Sequence, residues 1–266
     1  MSLIYVDDPT DSRLSDFRAV SEPELALTRG LFIAEGRMVV RRLLTESAFV
    51  PRAVLVTPSA EKAVEDVLRA RPEVPVFIVP KEVMDGVAGF NVHRGCLASG
   101  ERPTPADWRT CVVHARRAVV LERVGDADNV GAIFRSAAAF GADVVLTGPA
   151  CADPLYRKAI RTSMGAALTL PFAAIDAWPM ALSELARDGW AVAALTPAAD
   201  AMPLREFASA TRPQRVALVL GHEGEGLTDA ALAACEFRIR IPITPSVDSL
   251  NVATAAAIAL YELGQV

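Results

Sequence analysis

The sequence of 266 residues is poor in the residue types that build metal sites and disulfide scaffolds. Its four cysteines (Cys96, Cys111, Cys151 and Cys235) are scattered without a C-x-x-C pair, and there are only three histidines. That spacing argues against a zinc module or any other metal site. It reads as four free thiols in a reducing cytosol. No apolar run approaches the roughly 20 residues that cross a bilayer. The start, MSLIYVDDPTDSR, lacks the basic and then apolar stretch of a signal peptide. A cytoplasmic protein without membrane contact is expected. Positive charge is not in excess either: 27 Lys and Arg stand against 32 Asp and Glu, for a net charge of -5. Non-specific coating of nucleic acid rests on many phosphate contacts and is disfavoured by this balance. A specific nucleic-acid enzyme with local basic patches is not. No G-x-G-x-x-G follows a first strand, which argues against a nicotinamide oxidoreductase.

Apolar residues are abundant, at 52% with a mean hydropathy of +0.30, while aromatics are only 6%. Much of the core must therefore be Ala, Val and Leu, which suits buried parallel strands covered by Ala-rich helices. The chain is long enough for two domains. From residue 20 to 100, LFIAEG (31–36), AVLVTP (53–58), VFIVP (76–80) and RGCLAS (94–99) read as strands. Between them lie helical stretches, one carrying Val39, Val40, Leu43 and Leu44 on its apolar side, another capped by Ser59 with Lys62 and Asp66 spaced i, i+4. The polar residues before 20 read as a mobile arm. ERPTPADWRT (101–110) has the look of a linker. It divides a first domain, 1–105, from a second, 111–266.

In the second domain strands and helices alternate, which implies a mainly parallel sheet covered on both faces. Three of its segments carry chemistry. In NVGAIFRSAAAFG, Val130, Ile133, Phe134 and Ala137 form a buried helical stripe. Arg135 lies roughly 140° away from Val130 on ideal geometry. Taken alone, Asn129 reads as an N-cap and Arg135 as a surface residue. In RVALVLGHEGEGLTD a buried strand runs into Gly221, Gly224 and Gly226, with Glu223 and Glu225 between them. Glycines there let a ligand or another backbone approach closely, and a plain structural loop is the competing explanation. In FRIRIPITPSVDSLNVATAAAIALYE, Ser249-Leu250-Asn251 opens an Ala-rich helix for which Ser249 is a candidate N-cap.

In this order, the three segments resemble the signature motifs of the SpoU (TrmH-like) family of the SPOUT methyltransferase superfamily. The matching residues are N-x-G-A-I-F-R-S-A from Asn129, L-G-x-E-G-x-G from Leu220, and I-P-x-x-x-x-V-x-S-L-N-V from Ile241. The resemblance covers essentially residues 118–264. FIAEG, AVLVT and HRGCLASGER of the first domain look like the small ribosomal-protein-like RNA-binding domain that precedes many such cores. One departure is Ile241-Pro242-Ile243-Thr244-Pro245, where the family usually has I-P-M-x-G. Pro245 removes a backbone N–H and any positive-φ geometry at that point of the loop.

The resemblance implies an α/β fold whose C-terminal SPOUT-type sheet threads a trefoil knot, and a homodimer with its active site near the subunit contact. It implies S-adenosylmethionine as methyl donor, held around Leu195, Thr196, Gly221, Ile241 and Leu250, and RNA as substrate, methylated on a ribose 2'-hydroxyl. The sulfonium is already a good leaving group, so no metal is expected. Arg135 would clamp an RNA phosphate and stabilise the developing alkoxide, with Asn129, Glu223, Ser249 and Asn251 orienting it, the ribose and the loops. Arg157, Lys158 and Arg161 on a short helix, and Arg37, Arg41 and Arg42 in the first domain, are candidate RNA contacts, though a charge run also serves as a solvated face. Base methylation and a non-catalytic RNA-binding or ribosome-assembly role remain as alternatives.

Overall fold

The structure, a computed structural model, describes residues 3–19, 21–211, 214–244 and 246–264. Its strands are β1 (Leu3–Tyr5), β2 (Leu31–Glu35), β3 (Pro51–Val56), β4 (Val76–Ile78), β5 (Cys96–Glu101), β6 (Arg117–Leu121), β7 (Val144–Thr147), β8 (Phe172–Ala174), β9 (Ala191–Leu195), β10 (Met202–Pro203), β11 (Val216–Leu220) and β12 (Phe237–Arg240). The α-helices are α1 (Glu22–Arg29), α2 (Arg37–Thr45), α3 (Pro58–Ala70), α4 (Lys81–Ala88), α5 (Trp108–Val112), α6 (Ala127–Ala139), α7 (Arg157–Thr162), α8 (Met180–Arg187), α9 (Leu204–Thr211), α10 (Asp229–Ala234) and α11 (Val252–Gly264). They form two compact units, Met1–Thr104 with Pro154–Thr169, and Pro105–Asp153 with Leu170–Val266.

The first unit is a five-stranded sheet in the order β1-β4-β3-β5-β2. β5 runs antiparallel to both neighbours, the other pairs parallel. The N-terminal residues, expected to be a mobile arm, are part of this fold. β1 adds an edge strand to β4, and the 3-10 turn Ser12–Phe17 buries Leu14 and Phe17. Asp16 pairs with Arg52 at 2.9 Å. The polar composition of the segment hid two anchoring apolar side chains. α3 begins two residues earlier than expected: Thr57 caps it, with Pro58 at its first position, so Ser59 is not the cap. Asp66 is held by Arg41 of α2 and not by Lys62, and that partner keeps its carboxyl below the usual range.

Residues 154–169, expected within the second unit, cluster with the first. Leu155, Ala159, Ile160 and Ala166–Leu168 are buried there, and α7 packs on β2.

The second unit is a seven-stranded sheet, β10-β12-β9-β11-β6-β7-β8, in which every pair is parallel. Its inner strands are apolar throughout: all five residues of β11 are buried. A parallel sheet covered on both faces demands this pattern. α6 starts from Asp126, whose side chain accepts from Asp128 N, and ends before Gly141 in the left-handed region (φ 72°). Asp126, not Asn129, is therefore the cap. α11 packs along α6. β10 and α9, too short or too weakly patterned to stand out in the sequence, complete the edge beside β12.

Two consequences are measurable. A fragment spanning 111–266 strips the apolar side of 154–169 of the residues that bury it. Such a fragment is expected to self-associate and melt below the full chain, and replacing 154–169 by a Gly/Ser linker is expected to restore a discrete species on size-exclusion chromatography. Burial pushes the Cys96 thiol up to about 12, and burial together with the Glu122 carboxylate does the same for Cys235. The thiolate is the reactive form. Mass spectrometry after iodoacetamide treatment at pH 8 should find both unmodified in the native protein and modified in denaturant.

Candidate active site

Parallel pairing brings the carboxyl ends of β12, β9 and β11 side by side on one edge of the sheet. Ligands of open α/β sheets bind at such edges, near the point where strand order reverses. Here that point lies between β11 and β6, since β7 and β8 are added on one side of β6 and all the later strands on the other. A cavity of about 400 Å³ opens at this edge. Its wall is made from the ends of the three strands and the segments just beyond them: Leu195 to Pro197, Leu220 to Leu227, and Ile241, Ile243, Ser249 and Leu250. The volume falls within the range of small-molecule sites, roughly 300–1,000 Å³.

All five residues expected around a donor, Leu195, Thr196, Gly221, Ile241 and Leu250, line this one cavity. Gly221 is dictated by space. A Cβ there would collide with the Gly226 carbonyl carbon and the Leu227 nitrogen, both backbone atoms. The loop after β11 thus doubles back onto the strand end, closed by the His222 N–H to Gly226 O bond (3.1 Å) and its reciprocal (3.0 Å).

The polar residues expected to act together divide into two groups. Asn129, Glu223 and Asn251 form one hydrogen-bonded chain: Asn251 Nδ2 donates to Asn129 Oδ1 (2.9 Å), and Asn129 Nδ2 to Glu223 Oε1 (2.6 Å). Asn251 also caps α11, its Oδ1 accepting from Ala253 N (2.9 Å) and Thr254 N (3.3 Å), the role Ser249 was a candidate for. Ser249 lines the cavity with Glu223. Arg135 stands apart. It is exposed on α6, outside the cavity wall, and makes no hydrogen bond or ion pair with the described residues. Pro245, expected to reshape the 241–251 loop, lies outside the described residues.

The basic candidates are less available than their sequence suggests. The Arg157 guanidinium sits 3.6 Å over the Phe90 ring, with Glu35 at 3.8 Å and Glu22 at 3.9 Å. Acids distant in sequence surround a helix that has none of its own. Arg41 donates twice to Asp66, and Arg42 to the Met164 carbonyl (2.9 Å). Arg37 is half-buried, its Nε without a partner. Lys158 and Arg161 are exposed on α7.

One residue that sequence reasoning missed is Glu122, the acid ending the apolar run of β6. It is 1% exposed. It accepts from Trp178 Nε1 (2.6 Å), Thr228 Oγ1 (2.7 Å) and Thr228 N (2.9 Å). It thereby ties the end of β6 to the cap of α10, where the glycine loop ends. A carboxylate closing a fully buried strand was the signal. Beside it, Arg123 pairs with Glu225 of the loop at 2.7 Å. Among the described residues, no group of three or more His, Cys, Asp or Glu could hold a metal ion, and no helix is long and apolar enough to cross a membrane.

Comparison with known proteins gives this geometry a context. The model of the SpoU rRNA methylase family matches residues 116–261. An uncharacterized tRNA/rRNA methyltransferase of Mycobacterium tuberculosis is 44% identical over 97% of this chain and 90% of its own. The 23S rRNA (guanosine-2'-O-)-methyltransferase RlmB of Bordetella pertussis is 31% identical over 70% of this chain and 76% of its own. The fold is that of an AdoMet-bound rRNA methyltransferase from Sinorhizobium meliloti, with a TM-score of 0.82 over 99% of this chain and 98% of that one, at 23% identity.

Gly221→Ala tests the close approach on which the cavity depends. The added methyl meets only backbone, so the loop must shift, and overpacking of this kind costs about 1–3 kcal/mol. Urea denaturation should show a loss of that size; a variant as stable as the parent would mean the loop yields freely.

Proposed function

The chain belongs to the SpoU rRNA methylase family, and we propose that it methylates a ribose 2'-hydroxyl of ribosomal or transfer RNA with S-adenosylmethionine as donor. The observation that carries this reading is the convergence of all three motif segments on one edge of the sheet. Five predicted donor contacts share a cavity there, and Asn129, Glu223 and Asn251 form a single chain beside it. The residues present fit the donor. The wall combines apolar side chains such as Leu195, Ile241 and Leu250 with the polar groups of Thr196, Glu223 and Ser249, suited to an adenine and a ribose, and Gly221 lets the loop close against the strand end.

Bound there, S-adenosylmethionine supplies a methyl group on a sulfonium, already activated for transfer. The protein's own task is positioning and charge stabilisation. Glu223 and Ser249, in the cavity wall, orient the ribose side of the site. Asn129 and Asn251 hold Glu223 and fix the start of α11 against α6. Arg135 clamps an RNA phosphate with its planar fork and stabilises the hydroxyl oxygen as its proton leaves for solvent or phosphate. A guanidinium stays protonated, so it is not the base.

Arg135 lies outside the cavity wall of its own chain, which supports a homodimer in which the site is completed near a subunit contact. Ile258 and Tyr261, 40% and 53% exposed on α11, are suited to that contact. The strand order β12-β9-β11-β6, with the 221–227 and 241–251 loops on one cavity, supports the trefoil knot that the family motifs imply. The first unit, with Lys158 and Arg161 exposed on α7, serves RNA recognition in the cytoplasm.

Incubation with labelled S-adenosylmethionine and total RNA, with mapping of the modified nucleotide, tests the reaction. Label on a base would replace ribose by base methylation, and no label with any RNA would leave a binding factor. Arg135→Ala is expected to abolish transfer and leave donor affinity nearly unchanged. The side chain is exposed, so its loss opens no cavity, and a well-placed charged donor is worth about 3–4 kcal/mol, roughly two to three orders of magnitude in rate. Arg135→Lys should rescue little, because one ammonium cannot reproduce the bidentate fork. Single-turnover rates and donor affinity, measured side by side, decide it; near-normal turnover in the Ala variant removes Arg135 from the mechanism.

A further inference from the structure

The loop after β11 is folded around a side chain that the L-G-x-E-G-x-G pattern leaves unspecified. His222 Nδ1 accepts from Gly224 N at 3.0 Å and from Glu225 N at 3.1 Å. The backbone closes the same turn through the paired bonds between His222 and Gly226. A ring nitrogen that accepts two donors carries no proton, so this imidazole is neutral with its hydrogen on Nε2.

The turn holds the chemistry of the site in place. Its two carboxylates are held by different elements, Glu223 by Asn129 of α6 and Glu225 by Arg123 at the end of β6. Residues 222 to 226 all line the cavity. With Glu223 and Glu225 bound elsewhere, Nδ1 is the acceptor that the turn itself offers to the Gly224 and Glu225 N–H groups.

We propose that His222 is a positioning residue, whose Nδ1 sets the turn that aims Glu223 at Asn129 and shapes one wall of the donor cavity, so that the donor binds well only while that acceptor is in place. This rests on the assignment of the cavity to S-adenosylmethionine. It adds a residue that never touches the reacting atoms but governs whether the site is formed.

Asparagine keeps the acceptor while removing the ring. Its Oδ1 occupies the place of Nδ1, one bond beyond a planar Cγ, and it accepts hydrogen bonds without gaining a proton. The full-length protein and the variants His222→Asn, His222→Ala and His114→Asn would be titrated calorimetrically with S-adenosylmethionine at pH 8, with circular dichroism to confirm the fold. His114 is exposed and outside the cavity, and serves as the control histidine. His114→Asn is expected to bind as the wild type does. His222→Asn should bind within about threefold of wild type, while His222→Ala, lacking both bonds, should bind roughly tenfold more weakly. Affinity in His222→Asn as low as in His222→Ala, or wild-type affinity in His222→Ala, overturns the proposal. Failure of the wild type to bind at pH 8 overturns the cavity assignment instead, and the proposal with it.

Discussion

Parallel pairing imposes a polarity on the second unit that everything else depends on. When β12, β9, β11 and β6 run the same way, their carboxyl ends finish together, and so do the main-chain groups left unpaired where each strand stops. Those groups need partners. The Glu122 N–H finds the Leu220 carbonyl, and the Thr196 N–H the Ile239 carbonyl. The cavity at this edge is lined by apolar side chains such as Leu195, Leu220 and Ile241 and by polar ones such as Thr196, Glu223 and Ser249. A purine nucleoside carrying a sulfonium fits that combination.

Such an edge works only if the loops crossing it stay in place, and buried polar groups supply the restraint. Glu122 binds three donors from Trp178 and Thr228 at the foot of the glycine loop. Removing its carboxylate would strand those donors, at roughly 1–3 kcal/mol per unpaired buried group. The upper part of the loop is fastened by Glu223 to Asn129 and by Glu225 to Arg123. In the interior of the turn the imidazole of His222 satisfies two further N–H groups. The glycines give the loop its path and the acids its anchorage. That accounts for carboxylates in a loop that would otherwise resemble a phosphate cradle.

Much of this was legible in the chain. The apolar runs of the buried strands, the 3.6-residue stripe of α6 and Gly141 at its end are local patterns, and local physics produces them. Asn129 was ambiguous on the same grounds, since an asparagine at a helix entry commonly caps. Asp126 took that role, which left the Asn129 amide for Glu223 and Asn251, 94 and 122 residues away. Ser249 and Asn251 were both candidates in the sequence for the cap of α11; Asn251 holds it, with its amide bonded to Asn129 of α6. Arg157 looked like a free cation because its neighbours in sequence are not acids; Glu22 and Glu35 reach it from other elements of the first unit.

From the chain alone came the strongly patterned strands and helices, the parallel core and the three motif segments, because periodicity, strand apolarity and residue spacing are properties of neighbours along the chain. Tertiary structure alone decided that Pro154–Thr169 clusters with the first unit, that Glu122 is a buried acceptor for three donors, and that His222 is the acceptor inside the glycine turn. The physical reason is common to all three. A polar atom has its role set by the donor or acceptor that desolvation leaves nearest to it, and an apolar face by the surface that covers it. Neither partner is specified by distance along the chain.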